Sequence, residues 1–292
     1  MSRIKIWIIG KYGIMAKALQ KACKELNIEA EASAGSEVSI TEKRELEKFC
    51  QGKGFTHVIN CAAFTAVDLA EREKEQAYSI NALGPEILGN LCREKNIHCI
   101  HLSTDYVFDG KKKSAYLEED STHPLNTYGY TKSEGEKRLL AVNPQALIIR
   151  TSWIFSETGH HFLKAIIKKA LNEKTLMIAD DQTGRPTYAK DLAHAILDTL
   201  NQTGVFHFAN QHEVSRYEYA EKIIELMREL KVPVMCEELL RGKTKVKDGI
   251  ALRPSYSALD TTKIEKILKK PIRGYEVALK ECIQILLEKG DL

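Results

Sequence analysis

The chain has 292 residues, with 43 Lys and Arg against 40 Asp and Glu, a formal net charge of +3 and 43% hydrophobic residues. This balance is typical of a folded globular protein and excludes an intrinsically disordered chain. The small net charge argues against a nucleic-acid partner, and no apolar run reaches the roughly 18–20 residues that cross a bilayer.

Short apolar strands and longer amphipathic helices alternate in the first half of the chain. In chain order the predicted elements are strand Ile6–Ile9, helix Met15–Leu26, strand Glu29–Ser33, helix Glu42–Gln51, strand His57–Cys61, helix Glu71–Glu94, strand His98–Leu102, helix Tyr128–Ala141 and strand Ala146–Thr151. This alternation predicts an α/β fold with a Rossmann-type, doubly wound parallel sheet, because right-handed crossovers place helices on both faces. The carboxyl ends of the strands then meet at one edge, where ligands bind.

Beyond Thr151 the alternation becomes irregular. The predicted elements there are helices Phe162–Asn172, Lys190–Asn201, Tyr217–Leu230 and Glu276–Lys289, and strands Thr175–Ala179 and Val205–Ala209. We therefore expect residues 1–151 to form a dinucleotide-binding domain and residues 152–292 a smaller C-terminal substrate-binding lobe, with segments that interleave across a soft boundary. The start of the chain lacks the pattern of a secretory signal, and its 7 scattered cysteines lack zinc spacing, so we expect a cytoplasmic protein with free thiols.

A glycine turn follows the first strand and leads into the first helix. Its sequence is Gly10-Lys11-Tyr12-Gly13-Ile14-Met15-Ala16. Glycines permit a tight turn and a close approach of the backbone to a pyrophosphate, which sits at the positive end of the helix. The turn favours dinucleotide binding over a merely structural role, with cofactor contacts from Gly10, Tyr12, Gly13, Ile14 and Met15. The second strand ends in Ala32–Ser36, without the acidic residue typical of NAD or the arginine typical of NADP sites, so the cofactor is NADPH or NADH.

Tyr128 and Lys132 are four residues apart and share one face of a helix. Free tyrosine titrates at about 10, and a nearby ammonium would lower the pKa of the phenol toward the working pH. With the hydroxyl of Thr104 as a second hydrogen-bonding group, these residues suit proton transfer to a carbonyl that receives a hydride from a nicotinamide. The plainer alternative is an amphipathic helix with a half-buried tyrosine and a surface lysine, which the glycine turn disfavours.

Six longer motifs extend over nearly the whole chain. They are Asn60–Asp68 (NCAAFTAVD), Ser103–Gly110 (STDYVFDG), Pro124–Lys132 (PLNTYGYTK), Arg150–Trp153 (RTSW), Asp181–Thr187 (DQTGRPT), and Arg253–Pro254 with Ser257–Asp260. Together these motifs resemble the extended short-chain dehydrogenase/reductases, and within them the dTDP-4-dehydrorhamnose reductases.

The resemblance implies NAD(P)H-dependent reduction of the C4 keto group of dTDP-4-dehydro-L-rhamnose to dTDP-L-rhamnose. It implies a catalytic trio of Thr104, Tyr128 and Lys132, in which Tyr128 protonates the C4 oxygen and Lys132 binds the nicotinamide ribose. Ala62 and Ala63 would line the cofactor. The residues that would face the nucleotide-sugar substrate are Thr65, Asp105, Trp153 and Arg253, although a tryptophan at a strand end is also common in a protein core.

Two other functions stay open at this point. One is a non-catalytic NAD(P)-binding regulatory protein, like the beta subunit of methionine adenosyltransferase, and the other is a reductase of a different nucleotide-linked keto-sugar. A dehydratase is disfavoured, because the related dehydratases carry an Asp-Glu pair where this chain has Asp105-Tyr106. Some relatives bind a divalent metal at a homodimer interface through a Glu. The matching residue here is Ala18, so we expect no metal and doubt that particular homodimer.

Overall fold

The computed structural model describes residues 4–244 and 249–291. The elements up to residue 151 are β1 (Lys5–Ile9), α1 (Ile14–Glu25), β2 (Glu29–Ser33), α2 (Lys43–Cys50), β3 (His57–Asn60), α3 (Val67–Ala70), α4 (Lys74–Tyr78), a π-helical turn (Ser79–Leu83), α5 (Gly84–Lys95), β4 (His98–Thr104), a 3-10 turn (Asp105–Val107), α6 (Thr127–Val142) and β5 (Leu147–Thr151). The elements after it are β6 (Ile154–Phe155), α7 (Phe162–Ala170), β7 (Thr175–Ala179), β8 (Thr183–Gly184), β9 (Thr187–Tyr188), α8 (Ala189–Asp198), β10 (Gly204–Phe208), β11 (Val214–Ser215), α9 (Arg216–Glu229), β12 (Glu238–Gly242), α10 (Thr262–Leu268) and α11 (Tyr275–Glu288).

Six parallel strands form the central sheet in the order β10-β5-β4-β3-β1-β2. This arrangement confirms the predicted α/β fold with a doubly wound, Rossmann-like sheet. The strand order reverses between β1 and β3, and a crevice for ligands opens outside the carboxyl ends of strands at such a switch point. The fold therefore predicts the location of the site before any side chain is considered.

Successive side chains of β1 enter two different cores, as the pleat of a strand requires. Ile6 and Ile8 pack with residues of α1 and α8 on one face, whereas Trp7 and Ile9 pack with residues of α2, α5 and α6 on the other. The last four residues of β1 are all buried. Burial on both faces explains why this strand has an unbroken apolar sequence, which is typical of parallel sheets covered by helices.

Segments from beyond residue 151 return to this sheet. β10 pairs with β5 along its whole length, and α8 packs beside α1. The rest of the second part forms a separate core in which α7, α9 and α11 enclose β7. The two parts of the chain therefore interleave, and a description of the sheet needs residues on both sides of the expected boundary.

The helical stretch predicted near Glu71–Glu94 is confirmed over most of its length, although it begins three residues later, at Lys74, and is not a regular α-helix throughout. In the structure α4, the π-helical turn and α5 follow one another without a gap from Lys74 to Lys95. Pro85 has no backbone N–H to donate to the carbonyl of Asn81 one turn earlier, so the regular ladder of hydrogen bonds cannot continue there. That carbonyl packs against α6, where a Cβ on Gly135 would lie 2.0 Å from it.

Among the described residues, no helix combines the length and the apolar character needed to cross a membrane.

Candidate active site

A cleft of about 1170 Å³ opens at the carboxyl edge of the sheet, at the switch point between β1 and β3. It exceeds the range of roughly 300–1,000 Å³ that is usual for one small ligand, so it has room for two ligands. All of the residues singled out from the sequence line it: Gly10, Tyr12, Gly13, Ile14, Met15, Ala62, Ala63, Thr65, Thr104, Asp105, Tyr128, Lys132, Trp153 and Arg253.

The glycine turn is held tightly against its neighbours. Gly10 has a φ of +96°, and a Cβ added to it would lie 3.0 Å from the backbone nitrogen of Ala62. The backbone N–H groups of Gly10 and Lys11 both donate to the carbonyl of Ser33 over 2.9 Å. A side chain at position 10 would therefore be strained and would push against the loop after β3.

The start of α1 is suited to an anion. The helix begins after Gly13, which has no side chain to cap it, and its first turn contains no acidic residue. The N–H groups of a first helical turn lack partners within the helix, and the helix dipole adds partial positive charge there. These features, beside the glycine turn, fit the pyrophosphate of a dinucleotide.

Tyr128 owes its place to the way α6 begins. The side chain of Asn126 accepts a hydrogen bond of 2.8 Å from the N–H of Gly129 and so caps the helix. A Cβ on Gly129 would lie 2.1 Å from the carbonyl oxygen of Tyr106, so only glycine permits α6 to approach the segment after β4 this closely. This contact brings the first turn of α6, which contains Tyr128, next to Thr104.

The expectation that Lys132 lowers the pKa of Tyr128 is wrong for this geometry. Burial raises the pKa of the Tyr128 phenol, and the hydroxyl of Thr104 opposes that rise only in part. Lys132 Nζ donates to the carbonyl of Leu102 over 2.7 Å and lies 3.0 Å from His101 Nε2. The phenol therefore stays protonated at neutral pH, which is the form that can donate a proton.

Asp105 is buried among hydroxyl groups at the end of β4. It accepts hydrogen bonds from Ser257 Oγ over 2.6 Å and from Thr104 Oγ1 over 3.1 Å. Burial raises the pKa of Asp105 to about 6, because the hydrogen bonds from Ser257 and Thr104 compensate only part of the lost hydration. The hydroxyl of Thr104 thus points to Asp105 here and must rotate to reach a carbonyl oxygen.

The two arginines of the cleft have different surroundings. Arg253, which the sequence analysis assigned to the substrate, forms a bidentate ion pair with Asp68, with distances of 2.5 and 2.8 Å. Arg216, which that analysis missed, lies with its guanidinium carbon 3.6 Å from the ring centroid of Trp153 and 4.8 Å from that of Phe162. Arg216 is thus a cation held on an aromatic surface that lines the cleft.

Two local irregularities point to this part of the cleft. Arg216 is the first residue of α9, where a cation opposes the helix dipole. Trp153 has a φ of +45°, in the left-handed region that bulky residues rarely adopt. Strained backbone and unfavourably placed charges cluster at functional sites. The first irregularity is visible in the sequence, because the capping box formed by Ser215 and Glu218 marks the start of the helix.

No group of three or more His, Cys, Asp or Glu side chains within residues 4–244 and 249–291 is arranged to hold a metal ion.

Comparison with known proteins gives a consistent result. Residues 4–288 match the family model described as the RmlD substrate binding domain. A dTDP-4-dehydrorhamnose reductase from Aggregatibacter actinomycetemcomitans is 34% identical, with 94% of this chain and 97% of that protein covered. A dTDP-4-keto-6-deoxy-D-glucose reductase from Streptomyces niveus is 30% identical, with 96% and 97% covered.

A solved structure also resembles the whole chain. It is a dTDP-4-dehydrorhamnose reductase from Bacillus anthracis in complex with NADP, with a TM-score of 0.89 and 27% identity, covering 96% of this chain and 99% of that one.

Proposed function

The chain belongs to the family of the RmlD substrate binding domain, and from this premise we propose that it reduces the C4 keto group of dTDP-4-dehydro-L-rhamnose to give dTDP-L-rhamnose. As a member of this family it is an NAD(P)-dependent oxidoreductase. The proposal is carried by one observation: a single cleft joins the glycine turn, the Tyr128–Lys132 face of α6 and the charged residues of the second part.

The cofactor side of the cleft consists largely of backbone and small residues. The start of α1 and the turn at Gly10 and Gly13 would hold the pyrophosphate, while Ala62 and Ala63 after β3 leave space for the cofactor to extend toward α6. When bound, NADPH or NADH supplies the hydride. Lys132 Nζ donates to the carbonyl of Leu102 and lies 3.0 Å from His101 Nε2. Its remaining N–H would be directed into the cleft and would bind the nicotinamide ribose.

Tyr128 is the proton donor in this proposal. The C4 carbon of the sugar gains the hydride, and the C4 oxygen gains the proton of the phenol, so that the ketone becomes a secondary alcohol. Burial keeps the phenol protonated until this transfer. Thr104 would donate a second hydrogen bond to the same oxygen after rotating away from Asp105.

The sugar side of the cleft carries the groups that recognise the substrate. Arg216 on the ring of Trp153 would bind the diphosphate, because a guanidinium matches phosphate oxygens in charge and geometry. Asp105 would accept hydrogen bonds from sugar hydroxyls. Thr65 and Arg253 line the same side, with Arg253 held in place by Asp68.

A steady-state assay tests this function. Purified protein is mixed with NADPH or NADH and dTDP-4-dehydro-L-rhamnose, and the absorbance of the reduced cofactor is followed. We expect the absorbance to fall only when both substrates are present. A folded protein that binds the cofactor but shows no turnover would support a regulatory NAD(P)-binding role instead.

A second candidate is reduction of another nucleotide-linked keto-sugar. It is favoured by the similarity to the Streptomyces niveus reductase, whose named substrate differs from that of the other relatives. The same assay with a panel of nucleotide-linked 4-keto sugars separates the two candidates, because the better substrate has the higher kcat/KM.

A further inference from the structure

A carboxylate lies beside the end of β2, although the strand itself ends without one. The chain turns at residues 34–37, where the N–H groups of Glu37 and Val38 donate to the carbonyl of Ala34 over 3.0 and 2.9 Å. The side chain of Glu37 folds back over this turn, and its Oε2 accepts a hydrogen bond of 3.0 Å from the N–H of Ala34. Glu37 thus places a carboxylate at the first residue after β2, where the acidic residue of an NAD site is expected.

A cation faces this carboxylate from the glycine turn. Lys11 follows Gly10 directly, and its backbone N–H donates to the carbonyl of Ser33, the last residue of β2, over 2.9 Å. Its Nζ lies 3.5 Å from Glu37 Oε1 and 5.8 Å from the ring centroid of Tyr12, which lines the cleft. Lys11 and Glu37 therefore form an ion pair that bridges the glycine turn and the end of β2.

This ion pair lies where the adenosine ribose of a dinucleotide is expected. In a Rossmann-type site the pyrophosphate lies at the glycine turn, and the 2′ position of the adenosine ribose lies near the end of the second strand. The cleft extends to this point, because Gly35 and Val38 of the same turn line it. NADPH carries a phosphate at the 2′ position and NADH a hydroxyl, so the groups around that position decide between the two cofactors.

The two members of the pair are held with different firmness. The side chains of Lys11 and Glu37 are 35% and 45% exposed, and the 3.5 Å between Nζ and Oε1 exceeds the roughly 2.7–3.2 Å of an ordinary hydrogen bond. The N–H of Ala34, in contrast, fixes the carboxylate and, together with Lys11, holds the pKa of Glu37 below its ordinary value. Glu37 is therefore a fixed anion and Lys11 a movable cation.

We propose that Lys11 and Glu37 are the residues that set the preference of this site between NADPH and NADH. The ammonium of Lys11 turns from Glu37 to the 2′-phosphate of NADPH, since a flexible lysine binds phosphate as a point charge. The carboxylate of Glu37 accepts a hydrogen bond from the 2′-hydroxyl of NADH and repels a 2′-phosphate. The dinucleotide lies in the cleft as in the proposed function, on which this inference rests.

The other carboxylates near this end of the cleft have partners of their own. Glu31 on β2 is bound by Lys53 over 2.5 Å. Glu45 on α2 accepts a hydrogen bond of 2.8 Å from the N–H of Ser39. Glu37 is thus the carboxylate that faces the glycine turn.

Calorimetric titration of the protein with NADPH and with NADH tests the role of the lysine. Lys11→Met removes the ammonium and keeps the length of the side chain. We expect the Kd of NADPH to rise about tenfold, the lower end of the effect of a hydrogen bond to a charged group because solvent screens the site, while the Kd of NADH changes less than about twofold. Equal losses for both cofactors would overturn the inference.

Lys21→Met is the matched control for the lost charge. Lys21 is an exposed lysine of α1 that also pairs with a glutamate, Glu25. We expect both Kd values of this variant to equal those of the wild type. A loss of NADPH affinity as large as that of Lys11→Met would show that the net charge of the protein, and not the position of Lys11, favours the phosphate, and would overturn the inference.

Glu37→Gln should shift the preference in the opposite direction. The amide keeps an oxygen for the N–H of Ala34 but lacks the charge that repels a 2′-phosphate and holds Lys11. We expect the Kd of NADPH to fall about threefold and that of NADH to rise about threefold. Glu45→Gln is the matched control, since Glu45 also accepts a backbone N–H, from Ser39, and should keep both values. An unchanged ratio of the two Kd values in Glu37→Gln, or a shift toward NADH, would overturn the inference.

A double variant separates direct binding of the phosphate from a structural role of the ion pair. If Lys11 acted only by holding Glu37 in place, Lys11→Met would have no effect in the Glu37→Gln background. We expect it to raise the Kd of NADPH about tenfold there too. Lys11→Arg should retain NADPH binding, because a guanidinium also binds phosphate. A double variant with the same NADPH affinity as Glu37→Gln would overturn the inference.

Two fragments that lack the nicotinamide make the test independent of the reaction. Adenosine 2′,5′-bisphosphate and adenosine 5′-monophosphate differ only in the 2′-phosphate, so the ratio of their Kd values reports recognition of that phosphate alone. We expect Lys11→Met to change this ratio about tenfold relative to the wild type. Equal ratios would overturn the inference and leave the proposed function intact. The expected ratios in a protein that does not turn over the keto-sugar would contradict the proposed function alone.

Discussion

The two walls of the cleft are built in different ways. The cofactor wall consists of the glycine turn and the ends of neighbouring strands, so its shape is mostly backbone. The sugar wall is assembled from the side chains of Asp105, Trp153, Arg216 and Arg253, which come from four separate segments of the chain. The fold determines the backbone geometry of the cofactor wall. The sugar wall instead depends on contacts between side chains that are far apart in the sequence. Substitutions in the two walls should therefore impair different ligands.

The largest effect is expected at Tyr128, where the two walls meet. Tyr128→Phe removes the proton donor and leaves the ring, so kcat should fall by roughly 10²–10⁴ while the cofactor Kd stays nearly unchanged. Absorbance of the reduced cofactor and a binding titration measure the two quantities. Tyr130→Phe is the control, since Tyr130 lies on the same helix but is exposed. Normal turnover by Tyr128→Phe would refute its role as the acid.

A substitution at Gly10 disrupts the cofactor wall most directly. Gly10→Ala combines a positive φ with a Cβ that meets the backbone of Ala62, and such strain costs about 1–3 kcal/mol. We expect cofactor affinity to fall roughly 10–100-fold, with little change in the KM of the sugar nucleotide. Gly35→Ala is the matched control, because Gly35 lines the same cleft and its added Cβ would meet no atom within 4 Å. Equal losses in both variants would contradict this account of the turn.

A substitution at Arg216 should weaken binding at the sugar wall. Arg216→Gln keeps a polar side chain but removes the charge, so the KM of the sugar nucleotide should rise about tenfold, while the cofactor Kd is retained. Arg241→Gln serves as the control, since Arg241 is exposed, stacks on Tyr217 and pairs with Asp180 away from the cleft. A cofactor Kd that rises as much as the KM would show that the walls are not separate.

The smallest effect is a difference in the pH dependence of stability. Burial raises the pKa of Asp105 to about 6, so its contribution to stability is complete below the unfolded pKa of about 3.9 and is lost as the pH rises through 6. The free energy of unfolding of the wild type, measured by urea denaturation, should therefore fall relative to that of Asp105→Asn between pH values of about 4 and 6.

Asp68 provides the opposite case within the same cleft. Hydrogen bonds from Arg253 hold the pKa of Asp68 below its ordinary value. Its contribution to stability is therefore present above the unfolded pKa of about 3.9 and is lost as the pH falls below it. The free energy of unfolding of the wild type should therefore rise with pH relative to that of Asp68→Asn when the urea experiment is extended to pH values below about 4. Slopes of the same sign for both variants would contradict the assigned environments.

The cofactor wall could be predicted from the sequence because its signals are local. The turn at Gly10 follows an apolar strand directly, and the end of each strand is marked by the change from apolar to small or polar residues. The pair Tyr128 and Lys132 follows from the period of a helix. Two predicted strands, Glu29–Ser33 and Thr175–Ala179, agree with the structure residue by residue, and the others differ at their ends by one or two residues.

The features that sequence reasoning missed depend on contacts between distant segments. The π-helical turn at Ser79–Leu83 lies within a continuous helical run, where Pro85 cannot donate to the carbonyl of Asn81 and that carbonyl packs against α6. The position of Arg216 is meaningful only once Trp153 lies beneath it. His101 looks like one more apolar-strand residue until its partners Asn60 and Lys132 are placed on either side. None of these contacts follows from a periodic pattern in the sequence, so none could be predicted from it.

Transfer of deuterium is the most direct test of the central claim, that this cleft delivers a hydride to C4 of a nucleotide-linked keto-sugar. Wild-type protein is incubated with dTDP-4-dehydro-L-rhamnose and NADPH or NADH deuterated at C4 of the nicotinamide, and the product is analysed by mass spectrometry and NMR. The account predicts dTDP-L-rhamnose with deuterium at C4 of the sugar and one cofactor oxidised per sugar reduced. A folded protein that binds the cofactor but leaves C4 unlabelled would contradict it.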